Sequence, residues 1–397
     1  MNCRVCNKNT MELLIDFGSN PIVHQLNKSL EEKNENYPFR LGHCLSCGFM
    51  GLLECIDSEI LYENYHARGS WKLQAHVPRL VDVMTSLIGR NLDHTILDIG
   101  CNDGNFLDTL KEFGYKKLHG VEPTLDTSKI AISKGYDTYQ GFFGRESAKN
   151  IYAEKTFDIV ITRHVLEHIK DLDDFLEGIT LVVKKTGCLV IELPNSEWCL
   201  DYLDYSLWEE HINYFTLNSL QTLLRKHSFE IIHYETTLYS GKALTVFCKK
   251  TSSSNTSISL DKKEVSKILK YKESWDHYNY KLREFLDSLS SPIAIYGCGA
   301  RSCNFVNFTG IGNYIDSFID DQKEKQDLYV PGNNLRINKW DKQYYQDFIF
   351  LLGVNTENEY KVIQKKEIPL DRFYSICPPS FNLPNFWQDM ITHANKN

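Results

Sequence analysis

One stretch, Thr95-Ile96-Leu97-Asp98-Ile99-Gly100-Cys101-Asn102-Asp103-Gly104-Asn105, constrains the fold more than any other part of the chain. An apolar strand stops there in a glycine-bearing turn, and the amphipathic segment Phe106-Leu107-Asp108-Thr109-Leu110 continues as a helix. A second strand, Lys117 to Val121, ends on Glu122. Gly100 and Gly104 let the backbone approach a ligand closely, and the helix N-terminus favours a carboxylate or phosphate. An acid at the second strand tip, roughly twenty residues beyond the first glycine, can accept hydrogen bonds from both hydroxyls of a ribose. These are the parts of a nucleoside-binding α/β domain.

A dinucleotide fingerprint has the form G-x-G-x-x-G, with the middle glycine making room for a pyrophosphate. Here the pattern is D-x-G-x-x-x-G, with Cys101 and Asn102 where that room is needed. It resembles motif I of the class I methyltransferases, and the resemblance implies S-adenosylmethionine, which has no pyrophosphate. Asp98, Gly100, Cys101, Asn102, Gly104, Glu122 and Pro123 are the expected cofactor residues. Phe142, Arg163 and His164, near the ends of later strands, complete that set.

Strands and helical segments alternate from 95 to 193, which predicts a mostly parallel sheet with ligands at the strand C-terminal ends. On that rule Glu122, Arg163, His164 and Asn195 are site candidates, whereas Glu167 and His168 are expected to cap a helix and face solvent. The segment Trp208-Glu209-Glu210-His211-Ile212-Asn213-Tyr214-Phe215 is dense in reactive groups. A Glu beside a His can orient an imidazole, whose pKa suits proton removal near neutrality. The alternative is a packed core histidine behind an exposed acidic loop. A hairpin-like pair, Ile231 to Thr236 and Leu244 to Lys249, would close the sheet.

The N-terminal segment carries Cys3-x-x-Cys6 and Cys44-x-x-Cys47, two tight turns that can aim four thiolates at one ion. Four sulfurs leave no open position, so the expected zinc is structural. No βαβ pattern surrounds either pair, which argues against a redox motif. The remaining eight cysteines are scattered and read as reduced thiols.

The chain has 397 residues, a length of two or three domains, and 42% hydrophobic residues support real cores. A formal charge of −8 argues against a dedicated nucleic-acid or membrane-surface binder. No apolar run reaches about 18 residues and the start is polar, which predicts a cytoplasmic protein. The polar run from 251 to 257 is the clearest boundary, followed by a long amphipathic helix over about 262–289. Then Pro292 to Arg301 repeats the strand and glycine-turn theme without a third glycine. That region is expected to be a second, small Rossmann-like domain, either binding a nucleotide beside Arg301 or serving for docking. The expected domains are 1–70 (zinc), 71–250 (methyltransferase core), 251–290 (linker and helix) and 291–397 (Rossmann-like).

A paired C-x2-C domain, a class I core with an E-H-x-x-Y-F segment and a Rossmann-like C-terminal domain occur in this order in the sugar C-methyltransferases of deoxysugar biosynthesis. The chain resembles that family over nearly its whole length, including Gly297-Cys298-Gly299-Ala300, Ile319-Asp320-Asp321, Val330-Pro331-Gly332 and Leu352-Gly353-Val354-Asn355. The resemblance implies methyl transfer to a carbon next to the ketone of a nucleotide-linked sugar by a monomer or homodimer. It makes His211 the base and Glu210 its partner, with Tyr65, Asn195, Trp208, Tyr214 and Lys242 at the substrate. This chain has Trp208 where the family has a tyrosine, and Glu209 where it has a histidine. An indole does not exchange protons as a phenol does, so O-methylation of a sugar hydroxyl competes with C-methylation. A non-catalytic assembly protein of zinc and Rossmann-like domains is the remaining alternative.

Overall fold

The computed structural model describes residues 1–61, 74–152, 155–254, 257–258 and 260–396. Its first sheet is antiparallel, built from β1 (Met11–Pro21), β2 (Asn36–Cys44) and β3 (Met50–Leu52). A second sheet of seven strands follows: β4 (Thr95–Ile99), β5 (Lys117–Glu122), β6 (Asp137–Gln140), β7 (Phe157–Arg163) and β8 (Val183–Pro194) are its parallel part. The chain then sends a two-residue strand, β9 (Asn213–Tyr214), back to the edge of the first sheet. It returns with β10 (Phe229–Leu238) and β11 (Lys242–Lys250), and β11 pairs antiparallel to β8. The order is β10-β11-β8-β7-β4-β5-β6, so the expected hairpin does finish the sheet.

The central strands read as they do because both faces are covered. Ile96, Leu97 and Ile99 of β4 and Ile159, Val160 and Ile161 of β7 are all buried, as an unbroken apolar run in a parallel sheet requires. The outermost strand, β10, instead alternates partly buried and exposed positions along most of its length. Helices are started by local polar groups: Asp171 accepts from Asp174 N, and Thr216 with Ser219 forms a reciprocal cap.

A third, wholly parallel sheet has the order β14-β13-β12-β15-β16, from β12 (Ile293–Tyr296), β13 (Ile315–Ile319), β14 (Ile337–Asn338), β15 (Ile349–Leu352) and β16 (Phe373–Ser375). The long helix Lys262–Asp287 is more than a linker. It buries Ile268, Tyr271, Tyr278, Leu282 and Leu286, and Tyr271 stacks on Tyr205 at 4.5 Å. One apolar cluster runs from Phe17 and Phe39 in the first sheet through that helix to Trp387 in the C-terminal helix Asn385–Lys396. No helix among the described residues is long and apolar enough to cross a membrane.

The four cysteines are brought together as their spacing predicts. Cys3 and Cys47 sulfurs stand 3.7 Å apart and those of Cys6 and Cys44 3.6 Å, with all four within 4.8 Å. Zinc–sulfur bonds of about 2.3 Å place tetrahedral sulfurs roughly 3.8 Å apart. Val5 N and Ser46 N point at Cys3 and Cys44 sulfurs from 3.4 Å, the donors that thiolate ligands attract. The residues therefore fit zinc.

Arg4 links this centre to β9. Its Nη2 donates to Ile212 O at 2.5 Å, its Nη1 to Leu52 O at 3.0 Å and its Nε to Asn213 Oδ1 at 2.8 Å. Gly51 opposite must be glycine, since a Cβ there would lie 2.8 Å from Ile212 O and 2.4 Å from Arg4. Losing the zinc should therefore free the segment before β9. In Cys44→Ser protein, metal analysis should show the ion lost. Hydrogen exchange at 208–214 should then rise by about an order of magnitude or more, while β4 and β7 stay protected. Unchanged exchange at 208–214 would contradict this coupling.

Candidate active site

A cleft of about 940 Å³ opens at the C-terminal ends of β4, β5 and β7 and is roofed by residues 55–61 of the first domain. At one end, β4 delivers the glycine turn. Gly100 sits at φ 82°, and a Cβ on it would run into Val165 Cγ2 at 2.4 Å, so the turn can pass this close to the next loop only without a side chain. Asn102 is also left-handed, and its N–H donates to Glu122 Oε2 at 2.9 Å. Glu122 Oε1 accepts from Thr124 N at 2.9 Å. The carboxylate is thus aimed by two backbone donors, and each oxygen keeps a lone pair for a ribose hydroxyl. A Cβ-free turn and an aimed, buried acid are what an S-adenosyl nucleoside needs, so the residues fit that cofactor. Burial raises the Asp98 carboxyl to about 7, with Arg163 opposing and Glu122 reinforcing the shift.

At the other end, the loop after β7 meets the segment before β9. His211 faces His168 at 5.0 Å between ring centroids and Trp208 at 4.7 Å. One ligand atom each from Glu167, His168 and His211 lies within 4.8 Å of the others. Burial first, and then His168, push the His211 imidazolium down to about 3, so the ring is neutral. Burial works against a charged His164 too, but Glu167 and Glu192 outweigh it and hold that ring up to about 9. Glu192, fully buried at the tip of β8, takes Arg163 Nε and His76 Nε2 at 2.5 Å each. Arg163 also lies over the Phe106 ring at 4.7 Å.

The cleft gathers most of the expected residues: Asp98, Gly100, Cys101, Asn102, Glu122, Pro123, Phe142, Arg163, His164, Trp208, Glu210 and His211. Four do not line it. Gly104 starts the helix Asn105–Glu112 beneath the turn, and Asn195 spends its side chain capping helix Ser196–Tyr202 through Glu197 N. Tyr214 is buried in β9 with its hydroxyl on Trp208 O at 3.2 Å, and the Lys242 ammonium lies over Tyr202. Tyr65 falls outside the described residues.

Two expectations about partners change. Glu210 does not orient its neighbour: its carboxylate pairs with His24 of the first domain at 3.3 Å. Glu167 and His168 are not a solvated face, since Glu167 is 1% exposed and both line the cleft against His211. The sequence signal for them was the acid with one histidine three residues before it and another directly after it in His164-Val165-Leu166-Glu167-His168, just beyond a strand tip. Asp103, Phe143 and Tyr239 also line the cleft and were not singled out. In the third sheet the glycine turn is filled from within. Asp320 accepts from Cys298 N, Gln322 N and Lys325 Nζ, and Arg301 turns away to Asp204 at 2.9 Å and the Trp198 ring.

Comparison with known proteins agrees with this layout. Residues 3–62 match a family model described as "Putative zinc binding domain", 72–234 one described as "Methyltransferase domain", and 250–368 one described as "C-methyltransferase C-terminal domain". C-methyltransferase NovU of Streptomyces niveus is 22% identical over 378 residues, covering 89% of each chain. A ubiquinone biosynthesis O-methyltransferase of Bradyrhizobium diazoefficiens is 27% identical over 106 residues, which is 26% of this chain and 41% of that one. Among solved structures, the PH0226 protein of Pyrococcus horikoshii OT3 aligns with a TM-score of 0.37 at 17% identity, covering 49% of this chain and 98% of that one. In sequence order, then, the chain carries a zinc-binding N-terminal domain, a methyltransferase domain and a C-methyltransferase C-terminal domain, and it is an S-adenosylmethionine-dependent methyltransferase.

Proposed function

We propose that this enzyme methylates the carbon next to the ketone of a nucleotide-linked 4-keto-6-deoxysugar. The observation that carries the reading is the single cleft that joins the glycine turn and Glu122 to the Trp208–His211 segment, together with the C-terminal domain match. Asp98 to Asn102, Glu122, Pro123 and Phe142 hold the nucleoside of the methyl donor. Arg163 and His164 shape its floor through Glu192.

The acceptor reacts in three moves. His211 takes the proton from the carbon beside the ketone, and the C–H electron pair passes toward the carbonyl oxygen. Trp208 meets that oxygen: its indole N–H is buried and has no hydrogen-bond partner among the described residues, and the ring lines the cleft. A donor waiting at the place where negative charge develops stabilises it without having to exchange a proton. The bound S-adenosylmethionine supplies an electrophilic methyl on a sulfonium, and the carbon takes it in line as the S–C bond breaks.

The second reading, O-methylation of a sugar hydroxyl, is favoured by that same Trp208, since a hydroxyl needs only one base and a donor. Mass spectrometry after incubation with a panel of nucleotide sugars, with and without a ketone, decides the acceptor. Deuterium uptake at the carbon beside the ketone is expected for C-methylation and should be absent for O-methylation. Glu122→Ala is expected to weaken S-adenosylhomocysteine binding about 10- to 100-fold, the loss of charged hydrogen bonds, read by calorimetry. His211→Ala should keep that affinity and lose roughly 10²- to 10⁴-fold in kcat. Full turnover in that variant would remove His211 from the site.

A further inference from the structure

The acceptor end of the cleft holds a buried carboxylate, Glu167, that faces His164 as an ion pair but accepts no hydrogen bond among the described residues. Glu167 is 1% exposed, and neither of its oxygens has a hydrogen-bond donor among the described residues. His164 Nδ1 stands 3.4 Å from Oε1, an ion pair without hydrogen-bond geometry. Leaving a buried carboxylate in this state is costly unless a further positive group joins it.

The neighbouring imidazole is already prepared for such a group. His168 Nδ1 lies 2.8 Å from the Glu210 carbonyl oxygen. A carbonyl can only accept, so Nδ1 carries the proton and the lone pair is on Nε2. This is the outer hydrogen bond that commonly fixes the tautomer of a metal-ligating histidine. His211 lines the cleft beside it, and one ligand atom from each of Glu167, His168 and His211 falls within 4.8 Å of the other two. Ligands of one ion, each bonded at about 2.1 Å, stand roughly 3.4 Å apart in a tetrahedral arrangement, so a pair at the 4.8 Å limit closes by about 1.4 Å, within reach of side-chain rotation.

We propose that Glu167, His168 and His211 bind one divalent first-row transition cation at the acceptor end of the cleft. Two imidazoles and a carboxylate suit a borderline cation and leave positions open toward the cleft. The site is distinct from the zinc centre, where four cysteines close the coordination shell. What the cation does rests on the methyl-transfer reading above. It meets the carbonyl oxygen of the acceptor, and an adjacent hydroxyl can fill a second open position. The substrate class therefore narrows to sugars with two neighbouring oxygen functions. His211 then spends its lone pair on the cation, and the proton from the C–H bond goes to the Glu210 carboxylate, which lines the same cleft.

Full-length protein dialysed against EDTA, retaining one zinc per chain in the cysteine site, is titrated with Mn2+. One Mn2+ per chain is expected, with pulsed electron paramagnetic resonance showing histidine nitrogen coupled to the ion. Glu167→Gln and His168→Gln should each weaken Mn2+ binding about tenfold or more, with S-adenosylhomocysteine affinity unchanged. Absence of stoichiometric Mn2+ binding, absence of nitrogen coupling, or equal Mn2+ affinity in both variants overturns the proposal. Turnover separates it from the reading it rests on. Methylation of a keto sugar that is indifferent to EDTA removes the cation and leaves the reaction. A cation bound as described, in a protein that methylates no nucleotide sugar, leaves the site and removes the substrate.

Discussion

The acceptor side of the cleft depends on two backbone pairings, Met50 with Tyr214 and Gly51 with Asn213. Through them a segment that belongs by sequence to the methyltransferase domain becomes the edge strand of the zinc domain's sheet. An edge of two residues is too short to hold by ladder bonds alone. Arg4 supplies the rest, binding Leu52 O, Ile212 O and Asn213 at once from within the first cysteine turn. Asn213 passes the constraint on, donating Nδ2 to Leu166 O and Ile169 O on either side of Glu167 and His168. The two halves of the reactive cluster are therefore fixed by one chain of contacts that begins at the metal. A zinc ion remote from the chemistry can thus set its geometry.

Glu209 does the same for the other neighbours. It is 4% exposed, accepts from Val23 N of the first domain at 2.9 Å, and takes Asn304 Nδ2 of the last domain at 2.6 Å. Burial pushes its carboxyl up, and these donors with His24 pull the other way. A buried acid held this way contributes little net stability, because desolvation offsets what its hydrogen bonds gain. It contributes position. Its carboxylate ties the first and last domains to this segment, and Glu210 and His211 follow it directly in the chain. The tyrosine stack of Tyr205 on Tyr271 and the Arg301–Asp204 pair brace the same junction from the C-terminal side.

What could be read from the sequence was what is local. The turn at Asp98–Gly104, the acid at Glu122 and both cysteine pairs are made of residues close in the chain, so spacing alone places them. Most of the cofactor end of the cleft was legible for that reason. The acceptor end was not, because its geometry comes from chain returns. Nothing near Glu210 says that His24, far upstream, will take its carboxylate. Nothing near Glu167 says that a segment more than forty residues on will cover it and turn a surface position into a buried one. Asn195 and Lys242 misled in the opposite direction. A polar residue at a strand tip is equally good as a helix cap, and Asn195 became one. The helix Lys262–Asp287 has apolar positions enough for a surface helix, but its Tyr271 is buried between domains, stacking on Tyr205 and donating its hydroxyl to Asp204 O.

Trp208 bears on the proposed chemistry through what the backbone does beneath it. Tyr214 reaches under the segment and donates its hydroxyl to Trp208 O, which fixes the indole's starting point while leaving the ring against His211 and His168. A phenol at this place could give up its proton and so lie on the path of proton transfer. An indole cannot, at any pH the protein survives, so its N–H is a fixed dipole. Fixed dipoles stabilise developing charge at no cost in reorganisation, but they carry no proton away. On the proposed reading, transfer of the proton then falls on the carboxylate and imidazole groups packed beside the indole. There the chain places Glu167, His168, Glu210 and His211, all buried or half-buried around one space. On that reading the indole N–H helps to hold the acceptor's oxygen while a neighbouring carboxylate or imidazole carries the proton.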